Sequence, residues 1–284
     1  RESSFNSLVI DIESFDCTVK SFEYSSGIYS KKREESVDLN KERKTDEFRH
    51  NDIYMKSLKK MSIPIHNSEN TKMTLDEFFV FPDLERINTK HIKVDEDFTD
   101  SSTILDDNQY NLVMLEGDDQ SGKTSLLNMF YLRFVDKYMY PVLIKGNHIT
   151  SDNLDKIIEN AFAEQYNNDE KEKYNLYDKS CKVLLIDNFD ECTLNDTIKK
   201  CIIDRFIDRF HKVIITTREN ENMVSSYYLM EKNNTMLARI KPLGHLKRNE
   251  LVKKFYSTYN VNASTLQQQA LLEQVKAGFD MVEN

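Results

Sequence analysis

The chain has 284 residues, enough for one large domain or two smaller ones, with 31% charged residues, 6 glycines and a formal charge of −9. That balance excludes a general nucleic-acid-binding surface, because neutralising phosphates needs clustered Lys and Arg; a local basic patch stays open. No apolar run approaches the roughly 20 residues that span a bilayer, and no signal peptide is visible, so a cytoplasmic protein is expected.

The chain opens on Arg1 rather than Met, as a piece of a longer protein would. Residues 5–30 read as strands. In "FNSLVIDIE" Leu8, Ile10 and Ile12 share a face, and "CTVKSFEYSSGIY" follows with Val19, Phe22 and Tyr24. Two or three such strands are marginal alone, so residues 1–30 are expected to be the β-rich end of an upstream domain. Residues 31–74, including "KKREESVDLNKERKTDEFRHND", read as a charged linker. "MTLDEFFVFPDLE" then turns apolar, with Thr74 and Glu77 spaced to cap a short helix. It reads either as a segment beside a ligand pocket or as one that only fills the core.

From Tyr110 the pattern becomes β-α-β-α. Short Val/Ile/Leu runs at 111–116, 140–146, 182–187 and 211–217 suit parallel strands buried on both faces. Helical patterns fill 124–138, 151–165 and 194–210, the last with Ile198, Cys201, Ile202, Ile203 and Phe206 in one stripe. The fold class expected is α/β, a phosphate-loop NTPase with a parallel sheet flanked by helices over 75–245. "LKRNELVKKFYSTYN" and "STLQQQALLEQVKAGF" read as two helices that begin a helical domain over 246–284. Cys17, Cys181, Cys192 and Cys201 form no C-x-x-C pair and read as buried or half-buried thiols of a reducing compartment. None of the 6 histidines is assigned to a metal.

The sharpest chemical signal is "EGDDQSGKTS". Gly117 follows a strand and Thr124 opens a helix, the context in which G-x-x-x-x-G-K-T binds phosphate. The backbone amides of Gly117, Asp118, Asp119, Gln120, Ser121, Gly122, Lys123, Thr124 and Ser125 are expected to wrap the phosphates. Lys123 would reach the β- and γ-phosphates, and the Thr124 hydroxyl would ligate Mg²⁺. The acidic Asp118 and Asp119 are compatible with this, since side chains at those positions can point away while the amides bind.

In "KVLLIDNFDEC" four apolar residues lead to Asp187, placed to hold the Mg²⁺ shell. Asp190 and Glu191 follow, and either one of them orients or deprotonates the attacking water or the two are a helix-capping acidic pair. "KVIITTREN" ends a strand in Thr216, Thr217 and Arg218, on the edge where open α/β sheets bind ligands, and Arg218 can sense the γ-phosphate. No guanine-reading N-K-x-D follows a late strand, which favours adenine, as ATP or ADP.

"GDDQSGKT", "LLIDNFDE", "IITTRE" and "IKPLGHLKRNELVKKF" together resemble the NACHT-type branch of the STAND NTPases over roughly residues 75–260. The resemblance implies an ATPase that switches between an ADP-bound closed state and an ATP-bound oligomer. Asn188 departs from the small residue usual after the first Asp, and His245 lies too early in "PLGH" to contact the ADP β-phosphate. A narrower resemblance is to bacterial members with an N-terminal calcineurin-like metallophosphoesterase domain. It rests on "SFNSLVIDIE", "LDEFFVFPDLE" and "YPVLIKGNHIT…AFAEQY", and none of the phosphoesterase metal-ligand motifs occurs here in a suitable order. It implies antiphage defence, with homo-oligomerisation on activation and an unidentified trigger such as a phage protein. The alternatives are an AAA-like or DNA-handling motor, which the acidic balance disfavours, and a non-hydrolysing scaffold locked on ADP.

Overall fold

A computed structural model describes residues 4–10, 16–25, 28–38, 49–61, 65–66, 71–87, 98–167, 170–218 and 234–259. The chain forms two compact units, Arg1–Arg49 and His50–Asn284.

The first unit is an antiparallel sheet, β1 (Ser4–Ile10), β2 (Asp16–Ser25) and β3 (Ile28–Asp38), in the order β1-β2-β3. Strand character thus runs eight residues into the stretch expected as linker. The reason lies in cross-strand pairing. Lys20 stands opposite Glu34 with Nζ to Oε1 at 3.4 Å, Lys32 reaches Glu23 at 2.9 Å, and Lys31 also pairs with Glu34. Opposite charges on facing strands support a ladder modestly, so a run that looks like a solvated linker folds as an edge. Ile12 lies outside the described residues.

The second unit carries α1 (Asp52–Leu58), α2 (Leu75–Phe78), β4 (Asp83–Arg86), β5 (Phe98–Asp100), β6 (Leu112–Glu116), α3 (Lys123–Asp136), β7 (Tyr140–Lys145), α4 (Leu154–Gln165) and α5 (Lys171–Leu176). After these come β8 (Lys182–Asp187), α6 (Asp196–Arg209), β9 (Lys212–Thr217), β10 (Thr235–Ile240) and α7 (His245–Tyr259). Its seven strands lie in the order β5-β4-β10-β6-β9-β8-β7. The five from β10 to β7 run parallel, and β4 and β5 add an antiparallel margin. The four strands expected from the apolar runs are present, as are the helices between them.

Burial explains the arrangement. Leu112–Leu115, Val183–Ile186 and Val213–Ile215 are sealed on both faces, which only covering helices can do. Helix α3 supplies one cover, burying Leu126, Leu127, Phe130, Tyr131 and Phe134 at helical spacing. In α6 the apolar stripe is narrower than its sequence suggests: Ile202, Ile203 and Phe206 are buried but Cys201 is exposed. Cys192 is buried and Cys181 half-buried.

Strand β10 escaped sequence reading because "TMLARI" is short and mixes in Ala and Arg, poor strand formers. Only Met236, Ala238 and Ile240 alternate inward. Its insertion between β4 and β6 carries Ile240 and Pro242 to the phosphate loop. The stretch expected as linker also continues differently at its far end. Asn51 caps α1 and bonds the Gln165 carbonyl at 2.9 Å, while Leu58 is buried against α3. The second unit therefore begins at His50, ahead of the position 75 expected for the domain. The helix expected over "STLQQQALLEQVKAGF" lies outside the described residues. No helix among the described residues is long and apolar enough to cross a membrane.

Candidate functional site

The phosphate loop joins β6 to α3, tied to the neighbouring strand by the Gly117 amide on the Thr217 carbonyl at 3.1 Å. Gly122 sits at φ +86°, left-handed backbone that favours glycine, and turns the chain into α3. At Gly117 the requirement is space, since a Cβ there would come within 2.5 Å of Ser121 Oγ. The first turn of α3 leaves its amides without helical partners, aimed at the loop. Ser121 Oγ is shielded from solvent and has no partner among the described residues.

Lys123 is buried, and its Nζ donates to the Gly117 and Asp118 carbonyls, each at 2.7 Å. These bonds brace the loop that the ammonium would serve. The Thr124 hydroxyl donates to Asp187 Oδ2 at 2.7 Å. On the other side, Thr216 Oγ1 donates to Asp187 Oδ1 at 3.0 Å and accepts the Asn188 amide, also at 3.0 Å. Thr216, at the end of β9 between the loop strand and β8, thus fixes the plane of the Asp187 carboxylate. Sequence reading placed it at the ligand edge without this role, because nothing local in "IITT" announces its bond to the next strand.

Asn188 occupies left-handed backbone, φ 52° and ψ 60°. Asn tolerates that region, so the turn survives the departure from a smaller residue. Gly146 makes room for it: a Cβ there would meet the Asn188 carbonyl oxygen at 2.0 Å. "GNH" is therefore a packing feature of the β7 end.

The turn Phe189–Glu191 sends the two candidate acids to different surroundings. Asp190, 5% exposed at its side chain, accepts the Arg218 amide on Oδ1 at 3.2 Å and faces Arg218 Nε with Oδ2 at 3.4 Å. Arg218 Nε also lies 3.3 Å from Asp119 Oδ1. Glu191 is exposed and free of this network. Lys123, Thr124, Asp187, Asp119, Asp190 and Arg218 are thus brought to one sheet edge, with Asp118 and Gln120 exposed on the loop.

Two clefts flank the loop. One, of about 790 Å³, is walled by Leu75, Phe79, Val80, Ile240, Pro242 and Leu251. It lies between the 75–82 segment, the loop and α7, whose Phe255 ring meets Phe78 at 5.9 Å and whose Lys254 donates to the Phe79 carbonyl at 3.1 Å. Glu77 anchors the segment by accepting the Thr74 amide at 2.6 Å. The other cleft, of about 750 Å³, reaches Thr124 and Asp187 and is lined by Tyr54, Asn128, Asn147 and His148.

No protein-family model matches the chain, and no curated protein does. Among solved structures it is similar to the AMPPCP-bound DnaA from Aquifex aeolicus, at 14% identity and TM-score 0.40, over 64% of this chain and 58% of that one. A DNA replication initiation factor shares 13% identity at TM-score 0.38, over 64% and 59%. Domain III of the Thermotoga maritima replication initiation protein DnaA shares 17% at 0.34, over 61% and 72%. The chain spans less than two thirds of the length of the first two. At such identities the α/β assignment rests on the strand pairing itself.

Proposed function

We propose that the second unit binds ATP with Mg²⁺ and hydrolyses it slowly, as a regulatory switch of the NACHT-like STAND kind. The observation that carries the reading is the continuous chain Thr124–Asp187–Thr216 beside Lys123, at the lip of a loop held open by two glycines. A hydroxyl and a carboxylate 2.7 Å apart can share one hard cation, and Mg²⁺ commonly takes few protein oxygens and completes its shell with phosphate and water. The donor set fits, since among the described residues no richer group of His, Cys, Asp or Glu gathers to hold a metal without nucleotide. Bound there, Mg²⁺ would neutralise charge between the β- and γ-phosphates.

The residues divide the remaining work. Loop amides and Ser121 Oγ hold phosphate oxygens, and Lys123 exchanges its two carbonyl partners for them. Arg218 reads the γ-phosphate. Both Asp190 oxygens already face Arg218, which leaves Glu191 to orient the water. The apolar cleft takes adenine between Val80 and Leu251, so nucleotide occupancy bears directly on the packing of α7. Slow turnover follows because Lys123 and Arg218 must each leave internal partners before they serve the phosphates.

The larger setting rests on sequence resemblance. In it the N-terminal sheet closes a phosphoesterase-like effector, activation brings homo-oligomerisation, and the trigger is a foreign protein such as one from phage. Purification with identification of retained nucleotide, then turnover of wild type against Glu191→Gln, tests the core of the reading. Slow hydrolysis abolished in Glu191→Gln supports it; turnover of many per second without a trigger would sink the switch.

A further inference from the structure

We infer that Asp119 is a positioning residue, an internal counter-anion that holds Arg218 until a terminal phosphate displaces it. This rests on the nucleotide reading above and adds a residue whose carboxylate that reading leaves unused. Arg218 stands between two carboxylates of different character. Asp190 is nearly buried, accepts the Arg218 amide and forms an ion pair with its Nε, so it fixes the arginine to the end of β9. Asp119 is 78% exposed at its side chain and belongs to the phosphate loop itself, beside Gln120 in left-handed backbone at φ 65°.

An exposed ion pair contributes little stability, and this decides the function. A buried partner would lock Arg218; an exposed one on the ligand-binding loop is exchangeable. A phosphate offers the guanidinium a charge-assisted, two-pronged alternative that a single carboxylate contact at 3.3 Å does not match. Loop and sensor are therefore coupled directly. When the loop closes on a triphosphate, Asp119 gives up Arg218 to the γ-phosphate; with a diphosphate the Asp119 contact has no competitor. Asp119 thus lowers the discrimination between triphosphate and diphosphate, since every triphosphate must break the Asp119–Arg218 pair and no diphosphate must.

Calorimetric titration of ADP and AMPPCP, in Mg²⁺, into wild type, Asp119→Asn, Asp119→Glu, Arg218→Ala and the Asp119→Asn/Arg218→Ala double variant tests this. Asp119→Asn raises the preference for AMPPCP over ADP about three- to five-fold, the scale of one exposed charge pair, and Asp119→Glu restores the wild-type preference. In the Arg218→Ala background, Asp119→Asn leaves the preference unchanged. A rise shared equally by both nucleotides, or a changed preference that persists without Arg218, overturns the proposal, because the carboxylate would then act by repelling phosphate. A wild type that binds neither nucleotide overturns the nucleotide reading itself. Melting temperatures without nucleotide check folding, and should Asp119→Asn fail to fold, an Asp119→Glu variant that folds but departs from the wild-type preference overturns the proposal while one that keeps it supports it.

Discussion

Two clefts beside the phosphate loop are alike in size, about 790 and 750 Å³, and alike in their mix of polar and apolar lining; they differ in which groups each sets against the loop. The first sets an apolar wall from α2, the β10 end and α7 opposite the polar loop residues Asp119 and Ser121; the second carries Tyr54, Asn128, Asn147 and His148 and opens on Thr124 and Asp187. The difference teaches where each kind of recognition resides. Apolar area binds without regard to phosphate number, whereas aligned charges and hydroxyls distinguish one phosphate from the next. A substitution in the apolar wall should move ADP and ATP together, and one among the charges and hydroxyls of the loop and strand ends should part them.

Lys123→Ala strikes the loop shared by both sides and has the largest expected effect. Truncating a buried, hydrogen-bonded charge typically loses several kcal/mol, so nucleotide affinity should fall roughly 100-fold or more. Retained binding of ADP within a few-fold of wild type would remove the loop from the site altogether. Thr216→Val comes next. It keeps the side chain's shape and deletes the donor on Asp187 Oδ1, so Mg²⁺-dependent turnover should drop about ten-fold. ADP affinity measured without Mg²⁺ should hold. If that affinity fell equally, Thr216 would be packing the strand end and not orienting the carboxylate.

Leu251→Ala tests the apolar side. Losing most of one Leu contact should weaken ADP and AMPPCP alike, by about five- to ten-fold. A loss confined to AMPPCP would mean that α7 senses the phosphate end and that the division between the clefts is wrong.

The two clefts also differ in how legible they were. The phosphate-loop side announces itself locally: Gly117, Gly122 and Lys123 are fixed by a short spacing, and Asp187 by the apolar run before it. Its finer wiring does not. Thr216 meets Asp187 only because β9 lies between β6 and β8, and strand order is a long-range property. Asp119 does turn away from the loop interior, as the sequence allowed, but it turns onto Arg218, which sequence distance conceals. The apolar cleft was legible only as the two readings left open for residues 75–82. Its other wall depends on β10, whose Ala and Arg hide the strand. Apolar residues carry no motif, so Val80 and Leu251 become a pair only once the chain is folded.

The smallest expected effect concerns the wall of the polar cleft. Helix α1, which contributes Tyr54 to it, is moored at His50, whose ring packs at a tilt against Tyr166 with centroids 4.5 Å apart and meets the Tyr131 hydroxyl at 3.4 Å. Burial pushes the His50 imidazole down to about 4, against a smaller opposing pull from Glu170. A base whose folded value lies below its unfolded one binds more protons unfolded, so stability falls as pH drops below about 6.5 and levels off below the folded value. Between pH 8 and pH 6 the loss is only about 1 kcal/mol, since the unfolded chain has begun to protonate and the folded one has not. Urea unfolding at both pH values should show a loss in wild type that is smaller by this amount in His50→Gln, the share of His211, also lowered by burial, remaining in both. Because the folded His50 ring stays neutral at pH 6, the loss belongs to stability alone, and the same acid shift should change AMPPCP and ADP affinities identically in wild type and in His50→Gln. An acid loss of AMPPCP affinity present in wild type and missing in His50→Gln would mean that the folded ring titrates in this range and that α1 bears on the recognition of the third phosphate.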